Sequence, residues 1–184
     1  MRTTFSISLL IFVAHGTVFA QTTWKGLRFG MSEAEVRKTY GATLQKEVTD
    51  QRETVLVDGA VELLGAALSV RARAELSLGK AGKLEVINLI VKDPFANEKD
   101  QTSASGSSLA AITEIMERLT DKYGQPVNEK GECKLTAEML IGNKPILCNK
   151  TWKSEGQNVK VFWSIFDDRL RDLIIAYIPI GTDF

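Results

Sequence analysis

The chain has 184 residues, with 23 basic and 23 acidic side chains, so its formal net charge at pH 7 is zero. Nucleic-acid binding needs a basic patch that neutralises phosphates, and no run of this sequence supplies one. The same balance disfavours a polybasic membrane anchor.

Residues 1–20 have the pattern of a cleavable signal peptide. Arg2 precedes a mainly apolar run from Phe5 to Val13, and Val18–Ala20 has the small residues that a signal peptidase recognises. A retained segment is the alternative, but a membrane span needs about 20 apolar residues and this run is shorter. We expect a periplasmic or secreted protein without stable membrane insertion.

Cleavage after Ala20 makes residues 21–184 a single domain and removes His15, the only histidine of the chain. Without an imidazole, the mature chain cannot form a Ser-His-Asp or Cys-His catalytic group. It also lacks the ligand that would complete a zinc site. We therefore expect no catalytic residue, no metal and no cofactor.

The first helix is predicted over Glu33 to Gly41. Ser32 and Glu35 have the spacing of a capping box, and Met31 with Val36 has that of a hydrophobic staple. Gly41 supplies a helix stop.

Strands follow this helix. Thr54 to Val57 is predicted as a short strand, and Leu68 to Leu78 alternates apolar and polar residues. The turn Gly79–Lys83 then leads into Leu84 to Val91, which predicts a hairpin.

The polar stretch Gln101 to Ser108 is predicted as a linker and the entry to a helix. Residues 109–123 then have helical apolar spacing and end at Gly124. Short strands are predicted near Ala137–Ile141 and around Thr151. Val159 to Phe166, the turn Asp167–Arg169 and Leu170 to Ile178 predict a second hairpin.

The two Tyr-Gly helix ends, at Gly41 and Gly124, are 83 residues apart, which suggests a duplicated half. The sequence thus predicts an α+β fold of two repeated units, about residues 21–97 and 98–184. Each unit is one helix followed by an antiparallel meander, with the helices on one face of the sheet.

The segment Trp24–Ser32 and the helix that follows it resemble the Gly-x-Ser-x-x-Glu-Val pattern of small outer-membrane-assembly lipoproteins. Tandem helix-plus-meander halves also resemble the secreted β-lactamase inhibitor proteins. These resemblances imply a binding scaffold of the envelope. The chain departs from the lipoproteins because Gln21, not cysteine, stands at the expected mature start.

Cys133 and Cys148 are the only cysteines. In an oxidising compartment we expect them to form one disulfide. A metal pair or a reactive thiol is the alternative, and neither a CxxC spacing nor a histidine supports it.

Aromatic residues mark the predicted binding surface. Along one strand Trp163 points to one face while Phe162 and Phe166 point to the other, so both faces carry large apolar groups. If helices cover one face, the other presents an apolar patch, and we assign binding to Trp152, Phe162, Trp163 and Phe166. The alternative is that the loop from Gly131 to Asn149 covers that face.

These observations favour a non-enzymatic exported protein that binds another envelope or extracellular protein. A carrier of a small apolar ligand, with the same aromatics lining a closed pocket, is the second hypothesis. A histidine-free hydrolase that uses carboxylates is the third.

Overall fold

The structure is a computed structural model that describes residues 24–41, 43–49, 54–62, 71–92, 101–134, 145–166 and 169–181. The signal peptide predicted at residues 1–20, the strand predicted at 137–141 and most of the turn predicted at 167–169 lie outside them. The elements in chain order are α1 (Glu33–Tyr40), β1 (Gln45–Val48), β2 (Thr54–Glu62), β3 (Arg71–Leu78), β4 (Leu84–Lys92), α2 (Gln101–Tyr123), β5 (Asn128–Gly131), β6 (Ile146–Ser154), β7 (Gln157–Phe166) and β8 (Arg169–Pro179).

All eight strands belong to one antiparallel sheet in the order β1-β2-β3-β4-β8-β7-β6-β5. The central pair is β4 with β8, whose register runs from Ile87 opposite Tyr177 to Lys92 opposite Asp172. Every other pair of neighbouring strands in the sheet is consecutive in the chain.

The predicted fold of two repeated helix-plus-meander units is therefore wrong. The described chain is mostly one continuous eight-stranded sheet, and its two helices differ in length, 8 residues in α1 and 23 in α2. Local patterns show single elements and hairpins, but the pairing of β4 with β8 joins residues far apart in sequence, which no local pattern reports.

The capping box of α1 is confirmed. The backbone N–H of Ser32 donates to the Glu35 carboxylate at 2.7 Å, and the backbone N–H of Glu35 donates to the Ser32 hydroxyl at 3.4 Å. Both helices end before glycines with positive φ, Gly41 at 121° and Gly124 at 78°. The predicted start of the second helix at Leu109 is wrong, because α2 begins at Gln101 and includes all of the stretch predicted as linker and helix entry.

Both predicted hairpins are present. Their strands begin or end within a few residues of the expected bounds, and Gly79 donates its N–H to the Lys83 carbonyl at 2.9 Å in the first turn. Two short edge strands, β1 and β5, were not predicted. All of their residues are exposed, so they lack the apolar alternation that marks a half-buried strand.

The helices and the core lie on one side of the sheet. Val36 of α1 and the α2 residues Ile112, Ile115 and Leu119 pack in the same cluster as the sheet's large core side chains. The largest of those are Trp152, Trp163 and Tyr177, all fully buried. Neither helix of the described part of the chain is long and apolar enough to cross a membrane.

The predicted disulfide is confirmed between Cys133 and Cys148, whose Cα atoms are 5.0 Å apart. Cys148 is a core residue of β6, and Cys133 follows β5. The bond therefore ties the chain beyond the edge strand to the interior of the sheet.

We expect reduction of this disulfide to lower the free energy of unfolding by about 3 kcal/mol, because it closes a loop between residues 15 apart in sequence. Urea unfolding with and without a reducing agent measures the loss. A Cys133→Ala/Cys148→Ala variant is the control, since its stability should not respond to the reducing agent. Unchanged stability of the parent after both thiols are shown to be reduced would contradict the expectation.

Candidate functional site

The face of the sheet opposite the helices, which we call the open face, carries a row of apolar residues at its centre. Ile174 of β8 lies between Ile90 of β4 and Phe162 of β7 in the strand register. All three are partly exposed. The residues next to them along the strands, such as Leu173 and Trp163, point to the other face and into the core.

Two further exposed apolar residues lie near this row, one on β6 and one on β7. Leu147 of β6 is 50% exposed and Phe166 at the end of β7 is 46% exposed. Together with Ile90, Phe162 and Ile174 they form what we call the apolar patch. These five residues lie on four adjacent strands, β4, β8, β7 and β6.

A β-bulge in β4 changes which side chains reach the open face. Ser77 pairs with Val86 but Leu78 pairs with Leu84, so Glu85 is an extra residue. Leu84 and Ile87 are both core residues, and Glu85 and Val86 between them both leave the core side.

The same device occurs in β8, where the register shifts between Ser164–Asp172 and Ile165–Leu170 and makes Arg171 the extra residue. Leu170 and Leu173 are buried, while Arg171 and Asp172 are only partly so. Because β4 and β8 are antiparallel, the two bulges lie at opposite ends of the central pair. Each places charged side chains at one margin of the open face.

A groove with a volume of about 470 Å³ lies beside the bulge of β4. Its lining comes from four adjacent strands and includes Ser77, Glu85, Val86, Asn88, Lys160 and Ile178. The groove thus combines apolar walls with an amine, an amide and a hydroxyl, the mixture that small-molecule sites use.

Lys160 is the cation of this groove, and its neighbours do not neutralise it. Across the sheet it faces Thr151 on β6 and Ala176 on β8. The nearest residues of the same face on its own strand are Asn158 and Phe162. No ion pair within the described part of the chain involves Lys160.

The other end of the open face is covered by ion pairs. Arg73 of β3 donates to Glu75 at 2.8 Å and to Glu47 of β1 at 2.6 Å. The hydrogen bond to Glu75 and that to Glu47 raise the pKa of Arg73 against the opposing effect of burial. The bridge from β3 to β1 crosses β2, where Val55 and Val57 are buried although they lie on this face.

The structure separates the four residues to which the sequence assigns binding. Trp152 and Trp163 are 0% exposed and belong to the core beneath α2. Phe162 and Phe166 lie on the open face, where the second is freely accessible. Whether any of them contacts a partner stays a prediction.

The sequence analysis did not predict a role for Lys160 or Leu147, and it did not predict the groove. A lysine flanked by two valines in a strand has the pattern of an ordinary solvent-facing residue, and only the register shows what surrounds it. Leu147 precedes Cys148, and its outward direction follows from the inward direction of the cysteine.

Two tyrosines outside the open face have raised pKa values. Burial, followed by the neighbouring Tyr123, raises the pKa of Tyr177. Burial and a 2.7 Å hydrogen bond to Asp58 raise that of Tyr40. Within the described residues no three histidine, cysteine, aspartate or glutamate side chains come close enough to hold a metal.

The chain matches no family model, no curated protein and no solved structure. The resemblances to outer-membrane-assembly lipoproteins and β-lactamase inhibitor proteins rest on the quoted residues alone.

We expect Trp163→Ala and Phe166→Ala to differ sharply in stability. Loss of the buried indole should lower the free energy of unfolding by about 3–5 kcal/mol. Loss of the exposed phenyl ring should change it by about 0.5 kcal/mol or less. Urea unfolding of both variants checks this, and equal losses would contradict the assignment of the two residues to opposite faces.

Proposed function

We propose that the chain is an exported, non-enzymatic binding protein that contacts another envelope or extracellular protein through its open face. The observation that supports this most directly is the apolar patch, which spans β4, β8, β7 and β6 on the side of the sheet that the helices leave uncovered. Aromatic residues such as Phe162 and Phe166 are typical anchors of protein interfaces.

The breadth of the patch favours a protein partner. Ile90, Ile174 and Phe162 lie on three adjacent strands, which span about 10 Å at the usual strand spacing, and Leu147 and Phe166 widen the surface further. Lys153, Lys160 and Lys130 lie around it on the same face in the strand register. A partner with an apolar centre and acidic residues at its rim would complement this arrangement.

The Cys133–Cys148 disulfide fits a non-cytoplasmic protein, because thiols stay reduced in the cytosol. Export by a signal peptide at residues 1–20, and the periplasm or the medium as the destination, belong to this proposal. The expectation that the chain has no catalytic activity belongs to it as well.

A photo-crosslinking amino acid in place of Phe162 tests the proposal. The purified disulfide-bonded protein is mixed with an envelope extract of its source, irradiated, and its crosslinked products are identified by mass spectrometry. We expect one protein to be crosslinked from position 162 and far less from position 48, because Val48 points to the opposite face at the edge of the sheet.

Matched charge substitutions test the same surface. We expect Leu147→Asp/Phe166→Asp to weaken capture of that protein by at least about tenfold, because burying a carboxylate without a partner disfavours an apolar contact. The control is Val48→Asp/Val127→Asp, which changes residues 66% and 57% exposed outside the patch. Equal capture by both variants, each shown to be folded, would exclude the open face as the binding surface.

A further inference from the structure

We propose that the groove beside the β4 bulge binds a small organic anion, a carboxylate attached to a short apolar body, with Lys160 as the group that pairs with the carboxylate. The inference concerns a different ligand class from the partner of the apolar patch, and it does not depend on that partner. It rests on three features of the groove.

The first feature is the uncompensated charge of Lys160. In the strand register, the residues directly and diagonally opposite Lys160 and next to it on the same face are Asn149, Thr151, Lys153, Asn158, Phe162, Ile174, Ala176 and Ile178. None of them is acidic, and one is a second lysine. A partly buried ammonium group in this setting gains a strong charge-assisted hydrogen bond when a carboxylate binds.

The second feature is the pairing of apolar walls with free donors. Val86 and Ile178 line the groove next to Ser77 and Asn88. No hydrogen bond within the described part of the chain uses the side chain of Ser77 or Asn88. An acyl chain can therefore lie on the apolar walls while the Asn88 amide, in the same row of the sheet as Lys160, remains available to the anionic head.

The third feature is the polarity along the groove. Glu85 also lines it, and its carboxylate lies over Gly79, against the position that a Cβ atom would occupy there. Gly79 is in the turn after β3, whereas Lys160 is on β7, so the negative and positive side chains stand at opposite ends. This orients the ligand with its carboxylate at Lys160 and its apolar body toward the turn.

The volume of about 470 Å³ falls within the range of small-molecule sites, about 300–1,000 Å³. A carboxylate with a chain of several carbons fits such a space. A bulky polymer or a bare inorganic anion would leave the apolar walls unused.

Octanoate is the probe, with octylammonium and acetate as comparison ligands. Binding to the disulfide-bonded protein is measured by calorimetry, and the contact is located by ¹H–¹⁵N chemical-shift changes. We expect octanoate to bind at least about tenfold more tightly than octylammonium or acetate, with shifts at Val86, Asn88 and Lys160, because only octanoate supplies both the charge and the chain.

Lysine variants provide the matched test. We expect Lys160→Met to weaken octanoate binding by at least about tenfold and Lys160→Arg to retain it, because arginine keeps the positive charge. Lys153→Met removes a lysine from the same face outside the groove lining and should bind as the parent does. Glu85→Gln should bind octanoate as tightly as the parent or more so.

Three results would overturn the proposal: no binding of octanoate by the parent, equal binding of octanoate and octylammonium, or equal loss in Lys160→Met and Lys153→Met. Spectra of each variant establish that it is folded. If Lys160→Met does not fold, Lys160→Arg still tests the proposal, because it changes the side chain and keeps the charge. These experiments do not use the crosslinked protein partner. Octanoate binding can therefore fail while the proposed function stands, and the proposed function can fail while octanoate still binds.

Discussion

The pairing of β4 with β8 is the constraint on which the rest of the structure depends. It joins a strand from the middle of the chain to the last strand and makes one eight-stranded sheet, whose single core takes residues from both helices. Since both helices lie on the same side, the side chains on that face of every central strand are buried in the core. The opposite face of β4, β8 and β7 then meets solvent, and its apolar residues become a surface feature.

The two bulges explain how a sheet that is apolar on both faces can still have distinct sides. In a regular strand, a shift of one residue moves every later side chain to the other face. The extra residues Glu85 and Arg171 make that shift locally, so leucine or isoleucine stays in the core on both sides of each bulge. The consequence is that charged residues mark the two margins of the open face, and one of them, Glu85, becomes part of the groove.

The features that depend on a few neighbouring residues could be predicted from the sequence. The capping box at Ser32 and Glu35, the turn at Gly79–Lys83 and the disulfide between Cys133 and Cys148 each depend on a few residues whose pattern is visible in the sequence. The start of α2 was missed because the stretch from Gln101 is polar and rich in residues of low helix propensity, although adding residues to a formed helix costs little.

The binding residues were half predictable for a related reason. Alternation shows that Trp163 and Phe162 point in opposite directions, but β7 and β8 are apolar on both faces, so the pattern does not show which face the helices cover. The long-range packing of α2 against β6 and β8 decides this and places Trp152 and Trp163 inside. The absence of an acidic residue next to Lys160 becomes visible only when strands β6 and β8 are placed on either side of it.

Charge divides the open face into parts with different consequences. Over β1 and β2, the bridge from Arg73 to Glu47 and Glu75 satisfies its own charges and covers Val55 and Val57, so this part of the face offers little to a ligand. On β5–β7, Lys130, Lys153 and Lys160 lie on the same face as exposed apolar residues, and the residue paired with each across the strands is not acidic. Two copies that met through this part would bring like charges together, which disfavours self-association. In both proposals the same lysines would favour a ligand or partner of opposite charge over one of like charge.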